Sequence, residues 1–275
     1  MIKSPASFYR MIDSSEKEYQ EIKHNLDRFY TQQERQKTDQ FGNIKYDQDG
    51  NPEKRIIHPS WKKLKSLQKL INSRVLSQIP LPDSLHGAIK EKSCVTNAKA
   101  HQGNKYFLLT DLRDFFPSIK HYIVHERLLE AGFSKPVAHM ITRLVTYKGC
   151  VPQGAPTSST IANFVFLPYD QKLMNICSEE ELTYTRFVDD LTFSAKTYLS
   201  QDIVDSLLDV IRSSPFKFHP RKTGMSMGRT EITGVEVRNN GLEAPLRKYF
   251  KLYLLDQDSQ SAKGLSAHIN AIRSA

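Results

Sequence analysis

The stretch Arg186-Phe187-Val188-Asp189-Asp190-Leu191-Thr192-Phe193-Ser194 decides how the rest of the chain is read. Two adjacent carboxylates stand between β-prone runs, Leu182-Thr183-Tyr184-Thr185 before them and Leu191-Thr192-Phe193 after. That pattern predicts a β-hairpin with an acidic tip. Neighbouring carboxylates at a tight turn repel each other and drift towards protonation unless a positive charge lies beside them. A magnesium ion meets that need, because a hard cation takes oxygen ligands and asks for few when substrate phosphates supply the rest. A lone Asp-Asp is equally a solvated turn, so a second acidic element has to be found.

Lys105-Tyr106-Phe107-Leu108-Leu109-Thr110-Asp111-Leu112-Arg113-Asp114-Phe115-Phe116-Pro117-Ser118-Ile119 supplies it. A β-like run from Tyr106 ends on the carboxylate of Asp111 and is followed by a turn and Pro117. Alone, Asp111 reads as a helix N-cap after a strand. Beside a hairpin tipped by Asp189, it brings three carboxylates to one place. Such a cluster can hold two divalent ions, which clamp the attacking and leaving oxygens of an in-line phosphoryl transfer.

Three strings then stand in order: Asp111 with the residues through Ile119, Val151-Pro152-Gln153-Gly154-Ala155-Pro156-Thr157-Ser158, and Phe187-Val188-Asp189-Asp190. Together they resemble three successive motifs of reverse transcriptases. Asn97-Ala98-Lys99-Ala100-His101 and Ile232-Thr233-Gly234 are similar to features of bacterial retron-type enzymes. The resemblance covers residues 54–250 and implies an α+β right-hand polymerase. Its parts would be a mostly helical N-terminal extension (1–53), fingers (54–104 with part of 120–150), an antiparallel-sheet palm backed by helices (105–244) and a reduced helical thumb (245–275).

The same resemblance implies an RNA-directed DNA polymerase that adds deoxynucleoside triphosphates to a primer 3′-hydroxyl. Asp111, Leu112, Asp189 and Asp190 would be the positions holding two Mg²⁺. Lys222 would stand near the leaving pyrophosphate and donate a proton or neutralise charge there. Arg55 would grip the triphosphate, Phe116 would exclude a 2′-hydroxyl, and Gln153 and Gly154 would lie against the incoming nucleotide and the template base. Asn97 and His101 would organise the approach to the palm or hold nucleic acid, and Arg247 and Lys248 would contact it. Partners implied are an RNA template and primer, the RNA–DNA duplex, a structured noncoding RNA and an effector protein in antiphage defence.

Bulk properties agree with a polyanionic partner. The formal charge is +9, and the window Lys54 to Arg74 holds seven Lys or Arg and no Asp or Glu. Within it, Ser60 reads as an N-cap, and Leu64, Leu67, Leu70, Ile71 and Val75 recur at helical spacing. The stripe would pack inward and leave Lys62, Lys63, Lys65 and Lys69 for phosphate contact. Cys94, Cys150 and Cys177 lack paired spacing, which suggests a reducing compartment. No run approaches the roughly 20 apolar residues that span a bilayer, so the expected setting is cytoplasmic, with no membrane partner.

Elsewhere the patterns predict a helix from Glu16 through Phe29, a short strand at Ile44-Lys45-Tyr46 between turns at 39–43 and 47–52, and helices between His121 and Lys148. A further helix is predicted from Gln201 to Ile211, then a strand at Val235-Glu236-Val237 entering an Asn239-Asn240-Gly241 turn, and a helical tail. Two rival readings stay open. One is a catalytically silent nucleic-acid-binding protein on the same fold, against which the intact carboxylate set speaks. The other is a defence polymerase outside true retrons, template-independent or protein-primed, sharing the palm.

Overall fold

Two short helices open the chain, each begun by a serine whose hydroxyl accepts a backbone hydrogen bond three residues on: Ser4 for α1 (Pro5–Met11) and Ser15 for α2 (Glu16–His24). α2 stops before the predicted Phe29. Asn25 leaves the helix at φ −124°, its side-chain amide turns back to the Glu21 carbonyl at 2.8 Å, and Leu26–Phe29 forms a separate 3-10 turn. The computed structural model describes residues 1–39, 43–47 and 49–275; Gln40, Phe41, Gly42 and Gln48, which fall in the predicted turns, lie outside these.

β1 (Gln33–Gln36) and β2 (Lys54–Ile57) form an antiparallel ribbon with Arg35 opposite Arg55. The predicted strand at Ile44–Tyr46 is reduced to isolated bridges, Thr38 with Ile44 and Tyr46 with Pro52. α3 (Lys62–Leu70) runs on into a π-helical turn, Ile71–Val75, and buries Leu64, Leu67, Ile71 and Val75 as the spacing predicts. Ser60 is not its cap; Trp61 takes that position. The Ser60 hydroxyl is buried and donates to Gln68 Oε1 at 2.5 Å, while Gln68 Nε2 donates to the Tyr30 hydroxyl and the Leu144 carbonyl. A buried amide left unmet costs more than an exposed helix end, which water can satisfy, so the serine serves the amide.

The chain continues through α4 (Cys94–Lys99), β3 (Tyr106–Asp111), α5 (Phe115–Ser118), α6 (His121–Glu130), α7 (Lys135–Val145) and α8 (Ser158–Glu179). Then come β4 (Thr183–Phe187), β5 (Asp190–Ala195), α9 (Gln201–Arg212), β6 (Gly224–Met227), β7 (Thr230–Ile232), β8 (Val235–Arg238), β9 (Gly241–Glu243), α10 (Leu246–Leu254) and α11 (Gln260–Arg273). The tail is thus two helices, and no described helix is long and apolar enough to cross a membrane.

These elements divide into two compact units, Met1–Leu81 with Asp114–Leu167, and Pro82–Arg113 with Pro168–Ala275. The first carries the β1–β2 ribbon and a helical body in which α7 buries Val137, Ile141, Leu144 and Val145. The second holds a four-stranded antiparallel sheet, ordered β4-β5-β3-β6, and a three-stranded one, β7-β8-β9. Its core joins Phe107 of β3 and Ala98 of α4 to Ile232, Val235 and Val237 of the smaller sheet and to Ile269 and Ile272 of α11. Both units are mixed helix and antiparallel strand, the α+β class expected.

Candidate active site

Register brings the acids together. β3 and β5 are antiparallel neighbours, and their pairing ends with Asp111 opposite Asp190. One residue on, the Leu112 N–H donates to the Asp189 carbonyl at 2.8 Å. Strand β3 and the β4–β5 hairpin therefore finish at one point, as the sequence predicts. Burial, then repulsion from Asp189 and Asp111, pushes Asp190 up to about 7, with Lys222 acting in the opposite direction. Lys222 Nζ donates to Asp111 Oδ2 at 2.7 Å.

The donors here are carboxylate oxygens, and the repulsion that raises Asp190 is what a divalent cation removes, so these residues fit Mg²⁺. Leu112, buried, can add only its main-chain carbonyl. Among the described residues no three Asp, Glu, His or Cys side chains are already closed around one point.

A second set of charges, which sequence reasoning missed, holds the hairpin. Arg186 on β4 and Asp170 on α8 are both fully buried and meet through two parallel bonds, Nε to Oδ1 at 2.8 Å and Nη2 to Oδ2 at 2.6 Å. The Tyr184 hydroxyl donates to the same Oδ1 at 2.7 Å. The remaining arm of the guanidinium, Nη1, donates to the Val188 carbonyl at 2.8 Å. Val188 needs that support. It has φ +60°, a left-handed conformation that costs a β-branched residue about 1–3 kcal/mol. Residues 84–87 pack below: Arg186 N–H donates to the Ser84 carbonyl and His86 N–H to the Arg186 carbonyl, both at 2.9 Å. A Cβ on Gly87 would stand 2.5 Å from the Val188 nitrogen. The backbone that presents Asp189 and Asp190 is thus fixed from both sides.

In the other unit, the Gln153 carbonyl accepts from His58 N–H at 2.7 Å. Gly154 sits at φ +101° with only ordinary contacts around a would-be Cβ, so its backbone conformation is what requires glycine. Arg55 is exposed on β2 directly opposite Arg35. Like charges facing across a ribbon repel, and a bound anion relieves that repulsion. Arg35 went unnoticed because Gln33-Glu34-Arg35-Gln36 has no apolar alternation. Phe116 is half-buried on α5 beside Phe115. Lys65 and Lys69 are exposed on α3, whereas Lys63 pairs with Glu18 at 3.2 Å and Lys62 lies over the Trp61 ring.

Four side chains expected near nucleic acid are engaged within the protein. His101 is fully buried, its ring bridging Ser194 Oγ at 2.6 Å and Thr185 Oγ1 at 2.7 Å. Burial, aided by His86, pushes its pKa down to about 3. Asn97, also buried, donates to Thr233 Oγ1 at 3.2 Å, so the two retron-like strings touch each other instead of a ligand. Arg247 is paired with Glu231, and Lys248 Nζ donates to the Gly234 carbonyl at 2.6 Å and lies 2.7 Å from His268 Nε2. Asn97, Arg247 and Lys248 stitch α4 and α10 to the β7–β8 hairpin, and His101 ties β4 to β5.

The antiparallel sheet thus sets a strand-end aspartate, Asp111, against the Asp189-Asp190 hairpin. Residues 45–238 match the reverse transcriptase (RNA-dependent DNA polymerase) family, and the chain belongs to it. It is 31% identical over 223 residues to Retron Mx162 reverse transcriptase of Myxococcus xanthus, covering 70% of this chain and 46% of that one. It is 30% identical over 205 residues to Retron Ec86 reverse transcriptase of Escherichia coli, covering 72% and 63%. With Retron Mx65 reverse transcriptase of Myxococcus xanthus, identity is 29% over 241 residues, covering 79% and 56%. The chain therefore spans between 46% and 63% of the length of these relatives. Among solved structures, apo telomerase from Candida tropicalis, truncated from its C-terminal domain, shares the fold at a TM-score of 0.50 and 13% identity, over 81% of this chain and 58% of that one.

Proposed function

We propose that the chain is an RNA-directed DNA polymerase of the retron type, adding deoxynucleoside triphosphates to a primer 3′-hydroxyl on a structured noncoding RNA. The observation that carries this reading is the pairing of Asp111 with Asp190 at the ends of β3 and β5. Asp111, Asp189, Asp190 and the Leu112 carbonyl would hold two Mg²⁺. Bound there, the ions would lower the pKa of the primer hydroxyl and stabilise the leaving pyrophosphate.

The chain's own groups do the rest. Arg186 and Gly87 keep the hairpin in place. Lys222 gives a proton to the departing pyrophosphate. Arg55, with Arg35 opposite, grips the triphosphate through guanidinium–phosphate bonds. Phe116 lies under the sugar and rejects a 2′-hydroxyl, while Gln153 and Gly154 meet the nucleotide and template base. Lys65 and Lys69 take template phosphates. In this reading 54–104 with part of 120–150 acts as fingers, 105–244 as palm and 245–275 as thumb. Likeness to retron enzymes supports a cytoplasmic role in antiphage defence beside an effector protein.

Primer extension on an RNA–DNA hybrid tests the core of this. Asp189→Asn is expected to abolish product at unchanged thermal stability; extension equal to wild type would remove the proposal. Sequencing the nucleic acid that copurifies with wild type but not with an Asp189→Asn/Asp190→Asn double variant would identify the RNA.

A further inference from the structure

A second concave site lies in the first unit, walled by α6, α7 and the turn that follows α7, and uses none of the residues assigned above. The cavity, about 410 Å³, is lined by His121, Tyr122, His125, His139, Arg143 and Lys148 among others. Its size falls in the ~300–1,000 Å³ range in which proteins hold small ligands. None of the described residues lining it is acidic. Asp27, next to Leu26 on the rim, has its carboxylate engaged by the Tyr147 hydroxyl at 2.8 Å. His139 is lowered by burial and then by Lys23, Arg143 and His125, all of them basic groups. The chemistry that fits is an anion.

An aromatic stands at the rim. Tyr122 is 53% exposed and set edge-on to His121 at 6.0 Å between centroids, which leaves ring surface for stacking. Arg143 and Lys148 are exposed cations and His121 and His139 are exposed beside them, so a strand entering and leaving the cavity meets positive charge and imidazole groups on the way. We infer that this cavity binds one nucleotide unit of a single-stranded RNA, its phosphate held by Arg143, His139 and Lys148 and its base stacked on Tyr122. The inference does not rest on the carboxylate cluster, and it stands or falls whether or not the chain polymerises.

Fluorescence anisotropy of a short labelled single-stranded RNA on the full chain tests it, with Arg143→Glu, His139→Ala and Tyr122→Ala compared at several salt concentrations. Tyr122→Ala is expected to weaken binding by about five-fold or more, the loss of one stacked base. Arg143→Glu is expected to weaken it about tenfold and to flatten the salt dependence by a log–log slope of about 0.7, one phosphate contact on a single strand. A 4-thiouridine RNA should crosslink within the α6 peptide that contains Tyr122, a readout that needs no variant to fold. Wild-type affinity in all three variants, or crosslinks confined to other peptides, overturns the inference. So does free AMP occupying the cavity as tightly as the RNA, which would make this a mononucleotide site.

Discussion

Two ion pairs in the second unit have the same chemistry and opposite character. Asp170 and Arg186 are buried to 1% and 0% exposure and joined by two parallel hydrogen bonds. Asp111 and Lys222 meet at 2.7 Å with the lysine side chain 52% exposed. The buried pair has no solvent with which to exchange and every arm of its guanidinium is engaged in one geometry. It behaves as a brace, and the Val188 carbonyl is what it braces. The open pair can part more easily because water reaches the lysine, while Asp111 is itself only 12% exposed. A fold keeps its scaffolding charges where they cannot move and its working charges where they can.

Removing one side of the brace is expected to have the largest effect. Arg186→Ala leaves Asp170 as an uncompensated buried charge, a loss of about 3–5 kcal/mol in urea denaturation. Arg186→Lys keeps the charge but not the fork, and should recover only part of that stability. An Arg186→Ala midpoint equal to wild type would erase the distinction between the two pairs.

Gly87→Ala probes the same brace from below. The added methyl would meet main chain, the Val188 nitrogen at 2.5 Å and the Phe187 carbonyl carbon at 2.9 Å, so the hairpin rather than a side chain must give way. A cost of about 1–3 kcal/mol is expected, with slower nucleotide addition at unchanged RNA affinity. Normal extension by this variant would show that the turn tolerates displacement.

The carboxylates were legible in the sequence because strands announce themselves through apolar alternation, and three strings in family order fixed which acids belong together. The brace was not. Asp170 lies in Phe164-Val165-Phe166-Leu167-Pro168-Tyr169-Asp170, where periodicity reads only an apolar helix, and nothing local says that its partner is Arg186 on a strand. The same blindness left His101 and Asn97 with two readings, organising the palm or holding nucleic acid: polar residues in a polar string show no burial until register turns them inward. Ser60 looked like a cap because the buried Gln68 that claims it sits within an otherwise ordinary helical stripe. Pairings across the chain decide these cases, and composition carries no trace of them.

His101 turns that lesson into a pH effect. Its folded pKa lies near 3, below the ordinary value of 6.5 that an unfolded chain would show. Above pH 6.5 both states are neutral and the stability contribution is constant. As pH falls from 6.5 towards 3 the unfolded chain takes a proton that the folded one refuses, so stability declines by about 1 kcal/mol per pH unit. In denaturation measured between pH 6.5 and 5.5 the wild type should lose about 1 kcal/mol more than His101→Gln does, a difference in which the opposing titration of Asp190, near 7, cancels. An identical slope in the variant would assign the acid sensitivity elsewhere, His86 being the first alternative because burial pushes it down to about 4.

The smallest stability effect and the sharpest mechanistic one are expected from the open pair. With the lysine 52% exposed and Asp111 only 12%, the pair lies between a surface pair, worth about 0.2–1 kcal/mol, and the buried brace, so Lys222→Ala should cost much less stability than Arg186→Ala. If Lys222 gives its proton to the departing pyrophosphate, the same variant should lose about 100-fold or more in single-turnover extension. Lys222→Arg separates the two roles left to this side chain. A guanidinium restores the positive charge beside Asp111 but does not release a proton at neutral pH. Rescue by arginine would therefore mean that charge alone is required. No rescue would mean proton transfer. A full-rate Lys222→Ala would leave the lysine as a counter-ion to Asp111 that the reaction does not use, and would extend to the open pair the scaffolding role assigned to the buried one.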